Sequence, residues 1–270
     1  MKKIQCAISQ CLLGDNVRYD GRSKLNAFIN DELSTTFDWL PVCPEVGIGL
    51  GVPRPPIHLI QIAQKIHAVH VHNENNDLTD SLQQFGQSLQ EKLKMVDAFI
   101  LKARSPSCGL GSTPVQSESF LSNGIFAEQI KKQFPYLPLI DEEMIEDQKS
   151  RVQFFIHLYY YRKWKRVATK NYHEQDLFFK QSAMIWSLKS GESISTLLSL
   201  TRKQREETFF SILKRYLSLN GWLNNMQVAT GKNDSLLFKK TEKQLMSLLK
   251  NEFPSAESLS VIDELMLDHF

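Results

Sequence analysis

The chain reads as an α/β domain followed by an all-α one. Three observations carry this. Short apolar runs alternate with amphipathic stretches until about residue 142, after which strand signals stop and helical ones take over. Strands separated by helical crossovers imply a mostly parallel, doubly wound, Rossmann-like sheet. Three cysteines, Cys11, Cys43 and Cys108, each stand where an apolar run gives way to a Gly/Pro-rich segment. In a parallel sheet such run ends share one edge, so thiols far apart in sequence can meet.

In order, Ile4–Ser9 (IQCAIS) is predicted as the first strand. The preceding Met1-Lys2-Lys3 briefly resembles a signal peptide. Gln5, Ser9 and Gln10 interrupt it, and Gly14-Asp15-Asn16 follows with no small-residue cleavage site. The segment is therefore read as a strand of a cytoplasmic protein. Leu25–Leu33 reads as a short helix, and Phe37–Val42 as a second strand ending at Cys43-Pro44-Glu45. Ile57–Ile62 and Ile66–His72, β-branched and alternating, read as a hairpin. Asp80–Leu93 places Leu82, Phe85, Leu89 and Leu93 on one helix face, with Asp80 as its N-cap. Ala98–Ala103 is a third core strand, followed by Ser105-Pro106-Ser107-Cys108-Gly109. Asn123-Gly124 precedes a helix over Ile125–Phe134, and Leu137–Ile140 is a fourth core strand.

Beyond Glu142, helices are predicted over Val152–Val167, Glu174–Leu188, Ser193–Leu200, Lys203–Leu219, Leu236–Lys250 and Ser255–Phe270, punctuated by Gly191, Gly221, Gly231 and Pro254. The domains are placed at 1–148 and 149–270.

Charge follows the same division. Residues 1–148 carry 13 Lys and Arg against 18 Asp and Glu, residues 149–250 carry 19 against 7, and residues 251–270 carry none against five. The middle segment, at net +12, predicts a polyanion-binding surface. Arg162, Lys163, Lys165 and Arg166, interleaved with aromatics, are its candidate RNA-binding residues. No apolar stretch approaches the ~20 residues that span a bilayer. Four cysteines in 270 residues are too few for a disulfide scaffold and suit metal binding or catalysis. No feature calls for a membrane or a stable protein partner.

Cys6 lies inside the first strand and reads as a small buried hydrophobe. That leaves three thiols. Structural zinc usually takes four ligands, often in local C-x-x-C pairs, and no such pair occurs. Iron–sulfur clusters are commonly held by four cysteines; with three, a [4Fe–4S] cluster leaves one iron open to substrate. An open zinc position would also act as a Lewis acid. Glu45, two residues past Cys43, and Ser105, three before Cys108, could move or relay a proton in the same crevice. Arg18, Arg54, Lys102 and Arg104 are cations that could orient an anionic substrate, with Asp15, Tyr19 and Asp20 near the first thiol. His67, His70 and His72 lie along one predicted strand and read as a solvent-facing surface.

The strings Cys11-Leu12-Leu13-Gly14, Val17-Arg18-Tyr19-Asp20-Gly21, Cys43-Pro44-Glu45, Gly51-Val52-Pro53-Arg54-Pro55-Pro56 and Lys102-Ala103-Arg104-Ser105-Pro106-Ser107-Cys108-Gly109 resemble the thiouracil desulfidase family in order and spacing, over about residues 4–145. The resemblance implies an α/β fold, a [4Fe–4S] cluster on Cys11, Cys43 and Cys108 with one open iron, and Glu45 and Ser105 as proton-handling residues. The helical extension looks like the two-domain branch that desulfurates 4-thiouridine in tRNA, departing from its pattern after about residue 172, where a histidine-rich helix start is reduced to Tyr172-His173. The expected function is a [4Fe–4S]-dependent desulfidase that removes sulfur from thiolated uridine, 4-thiouridine in tRNA, leaving uridine in place and giving sulfide. The alternatives are a desulfidase of free thiouracil or a thiolated nucleotide, and a non-catalytic, metal-containing RNA-binding protein.

Overall fold

A computed structural model describes residues 3–182, 190, 192 and 194–213. The chain divides into two compact units, one ending at Asp147 and the next beginning at Gln148.

The first unit is built on four parallel strands: β1 (Ile4–Ser9), β2 (Phe37–Val42), β6 (Ala98–Leu101) and β9 (Leu139–Asp141), in the spatial order β2-β1-β6-β9. All four residues of β6 are buried, as are five of the six in β1, which suits central strands covered on both faces. β2 exposes Asp38 and Pro41, and Pro41 is tolerated because β2 is an edge strand. The chain moves outward from β1 to β2, then back past β1 to β6 and β9. A reversal of this kind opens a crevice beyond the carboxyl ends of the strands.

Around the sheet lie α1 (Pro44–Gly47), α2 (Thr79–Ser88), α3 (Gln90–Lys94), α4 (Ile125–Gln133) and α5 (Glu142–Glu146). A second sheet of β3 (Ile57–Ile62), β4 (Lys65–His70) and β5 (Asn73–Asp77) is antiparallel, and β7 (Thr113–Pro114) pairs with β8 (Leu121–Ser122). Ile57, Leu59, Ala68, Leu82, Val115 and Ile125 share one apolar cluster beneath the second sheet.

Several elements differ from the sequence reading. The helix expected over 25–33 runs over residues 27–33 and is π-helical over Ile29–Leu33; Asn26 precedes it, and its side-chain oxygen accepts the Ile29 N–H at 2.9 Å. The helix expected over 80–93 breaks into α2 and α3 at Leu89. There the Ser88 hydroxyl donates to the Phe85 carbonyl at 2.8 Å, competing with the helical bond from Leu89. Leu78, not Asp80, is the N-cap of α2, and Asp77 accepts the Thr79 N–H at 2.8 Å. β4 ends at His70, which is buried, while His72 sits in the following turn. β5, with sequence NENND, is exposed throughout and carries no apolar alternation to announce it.

The described part of the second unit is helical: α6 (Gln148–Val167), α7 (Tyr172–Gln181), α8 (Ile194–Ser199) and α9 (Arg202–Leu213). Its interior is aromatic. Trp164 of α6 lies 5.2 Å from the rings of both Phe178 and Phe179 of α7, and Phe209 of α9 lies 5.5 Å from Tyr160 and from Phe178. Asn171 caps α7 by accepting the Glu174 N–H at 3.0 Å. Arg205 donates to Asp176 at 2.5 Å and to the carbonyls of Leu198 and Leu200, closing the turn before α9. The segments predicted over Leu236–Lys250 and Ser255–Phe270, and the C-terminal parts of those predicted over Glu174–Leu188 and Lys203–Leu219, lie outside the described residues. No described helix is long and apolar enough to cross a membrane.

Candidate metal centre and catalytic pocket

The carboxyl ends of β1, β2 and β6 lead directly into the three cysteine segments. β1 continues into a single 3₁₀ turn, Gln10–Leu13, that carries Cys11 and is closed by Gly14 at φ 97°. The left-handed conformation there suits a residue with no Cβ. β2 ends at Val42, and Cys43 caps α1 with Pro44 as its first residue. β6 leads through Lys102 to the segment Ser105–Gly109, which carries Cys108.

These segments enclose a pocket of about 370 Å³, within the size range of small-molecule sites. Cys11, Cys43, Cys108, Glu45, Ser105, Arg18, Arg54, Lys102 and Arg104 all line it, so the first unit's nine predicted site residues converge. Arg162, Lys163, Lys165 and Arg166 belong to α6 of the other unit. There Lys163 lies over the Tyr159 ring at 4.7 Å and Lys165 over that of Tyr161 at 5.7 Å.

None of the four cysteines is in a disulfide. Burial pushes the Cys11 thiol up to about 11, helped by the nearby Cys43 and opposed by Lys102 and Arg18. Cys43 is raised chiefly by burial, with the Val46 N–H opposing. Cys108 is raised further, again by burial first, while a hydrogen bond from the Ser9 hydroxyl favours its thiolate and both other cysteines oppose it. The three thiols thus feel one another's charge. Burial disfavours each thiolate, a cost that a bound cation offsets by taking the place of the protons.

Among the described residues no three His, Cys, Asp or Glu side chains are grouped so as to hold a metal ion. Zinc at about 2.3 Å from each sulfur would need the thiols nearly touching. A four-iron cluster offers a separate iron to each thiolate and accepts ligands set farther apart, and soft thiolates are its usual donors. Three cysteines around one roomy pocket fit that larger group.

The polar residues are tied into hydrogen bonds and ion pairs. Glu45, in the first turn of α1, accepts from Arg54 Nε at 2.8 Å through one oxygen and from Ser107 Oγ at 3.0 Å through the other. Ser105 Oγ accepts the N–H groups of Ser107 at 3.2 Å and Cys108 at 3.1 Å, bracing the thiol loop. Lys102 is paired with Glu142, which also accepts the Ala103 N–H at 2.6 Å. Arg104 pairs with Glu143, and Arg18 with Asp20 at 3.3 Å. Ser9, Lys24, Ser107 and Glu142 escaped the sequence reading. Ser9 ends a strand already recognised as leading into the thiol turn, a signal that could have found it. Glu142 meets Lys102 from 40 residues away, with no local pattern to mark it.

A sequence profile described as 2-thiouracil desulfurase matches residues 6–142. A solved structure titled "[4Fe-4S]-dependent thiouracil desulfidase TudS" is similar at 26% identity, covering 54% of this chain and 95% of that one, with a TM-score of 0.43. No curated protein matches the chain. The profile spans just over half of the sequence and contains all three thiol segments. On that match the chain belongs to the 2-thiouracil desulfurase family, enzymes that break a carbon–sulfur bond.

Proposed function

We propose that this protein is a [4Fe–4S]-dependent desulfidase that removes sulfur from thiolated uridine, with 4-thiouridine in tRNA as its substrate. One observation carries the chemistry: three thiols from three separate sheet-edge segments line one pocket with Glu45 and Ser105. Cys11, Cys43 and Cys108 are its ligands. When bound, a cluster with one iron free of protein ligands supplies a Lewis acid for the exocyclic sulfur.

The chain's own groups handle the rest. Glu45 takes a proton from the attacking water, the Ser105 hydroxyl holds or passes a proton at the same centre, and Arg18, Lys102 and Arg104 orient the substrate. A carbon–oxygen bond replaces the carbon–sulfur bond, sulfide leaves, and no net oxidation occurs. The reversal of strand order at β1 supports a doubly wound sheet with the crevice at its switch point. Free thiols of this kind suit the reducing cytoplasm, where we place the protein.

The RNA reading rests on the net charge of +12 over residues 149–250 and on the cations of α6 set among tyrosines. A base chemically altered in RNA must leave its stack to reach a pocket. A second reading, action on free thiouracil or a thiolated nucleotide, is favoured by the pocket's lying within the first unit, every lining residue falling between Ser9 and Cys108. Membership of an enzyme family removes the non-catalytic reading.

Turnover on thiolated tRNA and on free thiouracil, followed by nucleoside analysis under anaerobic conditions, separates the two. The RNA reading expects preference for tRNA and loss of that preference at high salt. Equal or better turnover on the free base, insensitive to salt, would replace it with the second.

A further inference from the structure

Arg54 and Ser107 each donate to a different oxygen of the Glu45 carboxylate. Arg54 donates through Nε to Glu45 at 2.8 Å, through Nη1 to the Gly51 carbonyl at 3.1 Å and through Nη2 to the Val17 carbonyl at 2.9 Å. Its own N–H donates to the Tyr19 carbonyl at 2.9 Å. All three guanidinium nitrogens are committed, and the side chain is only 4% exposed. A guanidinium can span three segments in this way because its donors form a rigid, planar fork; a lysine ammonium is a single point charge and cannot.

Ser107 is fully buried. Its hydroxyl donates to the other Glu45 oxygen at 3.0 Å, while its N–H donates to Ser105 Oγ at 3.2 Å. One residue therefore touches both members of the candidate proton-handling pair. Two glycines leave room for this loop, Gly124 beside Ser107 and Gly109 beside Ser105 and Thr113. A Cβ on Gly124 would stand 2.5 Å from the Ser107 carbonyl, and one on Gly109 would stand 1.9 Å from Thr113 Oγ1. The Ser107 carbonyl also accepts the Ala127 N–H at 3.0 Å, fixing the loop to the start of α4.

We propose that Arg54 and Ser107 are positioning residues that fix the Glu45 carboxylate, and that Arg54 does not bind substrate. This removes Arg54 from the substrate-orienting cations expected from sequence. Arg18 and Arg104 differ from it, since their side chains keep 26% and 64% exposure at the pocket. The inference rests on the desulfidase reading for what Glu45 does, but not for how it is held.

The test compares Arg54→Lys and Ser107→Ala with the cluster-loaded wild type, alone and combined with Glu45→Gln. Arg54→Lys lowers kcat by about 10–100-fold, as loss of an orienting partner does. Ser107→Ala lowers it by about tenfold, as loss of a hydrogen bond to a charged group does. KM stays within about twofold in both, since neither side chain touches substrate. Neither variant lowers kcat further in the Glu45→Gln background, because both act through that carboxylate. A large rise in KM with kcat unchanged in Arg54→Lys would overturn the proposal, as would an undiminished loss on top of Glu45→Gln. A second readout needs no turnover. In ¹⁵N-arginine-labelled full-length protein, the Arg54 Nε–H exchanges slowly with water and its resonance moves in Glu45→Gln. Fast exchange, or no response to Glu45→Gln, contradicts the clamp. If the wild type turns over neither thiolated tRNA nor thiouracil, the desulfidase reading fails while this resonance still decides how Glu45 is held.

Discussion

The pocket of the first unit and the interior of the second are built on opposite rules. Around the pocket, polar side chains from distant parts of the chain face one another, and four of its cations have carboxylate partners: Arg18 with Asp20, Arg54 with Glu45, Lys102 with Glu142 and Arg104 with Glu143. In the helical unit the packed groups include the rings Tyr160, Trp164, Phe178, Phe179, Phe209 and Phe210, while Lys163 is half-buried over Tyr159 and Arg166 is exposed. A pocket of paired charges is costly to desolvate and is kept for chemistry, whereas rings packed edge-on or tilted against one another supply apolar burial. Changes at the pocket should therefore cost activity, and changes among the rings should cost stability.

The largest expected effect comes from the thiols. Replacing Cys11, Cys43 or Cys108 by Ala abolishes retention of a full cluster, read as iron and sulfide per chain after anaerobic reconstitution. Cys6→Ala leaves both quantities unchanged, because Cys6 lies inside β1 and away from the pocket lining. Loss of iron in Cys6→Ala, or its retention in the other three, would break the comparison on the pocket's side. Next comes Phe209→Ala, which removes a fully buried ring between α6 and α7 and destabilises the second unit by about 3–5 kcal/mol. Denaturant melts should record that loss while iron content stays at the wild-type value; an equal fall in both would mean that the two units do not separate function from stability.

Sequence legibility followed the same divide. The strands Ile4–Ser9 and Phe37–Val42 are legible to the residue, because each is a short, largely apolar run with sharp ends, and the ends locate the thiols. What failed were features set by single side chains: Asn26 accepting the Ile29 N–H at the π-helical turn, Ser88 breaking one helix into two, and an exposed strand, Asn73–Asp77, with no apolar residue. At the pocket, residue types at strand ends identified the candidates, but not their partners. Ser107 meets Glu45 across 62 residues, and only the fold brings them together.

A smaller effect is expected on the basic face of α6. Replacing Arg162, Lys163, Lys165 and Arg166 by Gln should flatten the dependence of tRNA affinity on salt by up to about 3 in log–log slope, from roughly 0.7–0.9 for each phosphate no longer neutralised. An unchanged slope would take this helix out of RNA binding and leave the ring-packed unit with a structural role alone.

The smallest effect concerns Asp176. A hydrogen bond from Lys180, and then one from Arg205, hold its carboxyl below the usual range despite some burial. With the folded value depressed, this contribution is present above the unfolded carboxylate range and is lost as pH falls through the folded value. Asp176→Asn removes that acid-side dependence and costs at most about 1 kcal/mol near neutral pH, since the Lys180 side chain is largely exposed. Melting temperatures against pH for both proteins would record it; parallel curves would assign acid sensitivity to other carboxylates.

The central claim is that three thiols at one sheet edge, with Glu45 and Ser105 beside them, form a centre that takes sulfur from thiolated uracil. The most direct measurement is sulfide released per mole of product when the anaerobically reconstituted full-length chain meets a thiolated substrate, with Cys43→Ala in parallel. The account predicts one sulfide for each desulfurated base in the wild type and none in Cys43→Ala. Equal sulfide release by Cys43→Ala, or a fully loaded wild type that leaves both thiolated tRNA and thiouracil intact, would contradict it.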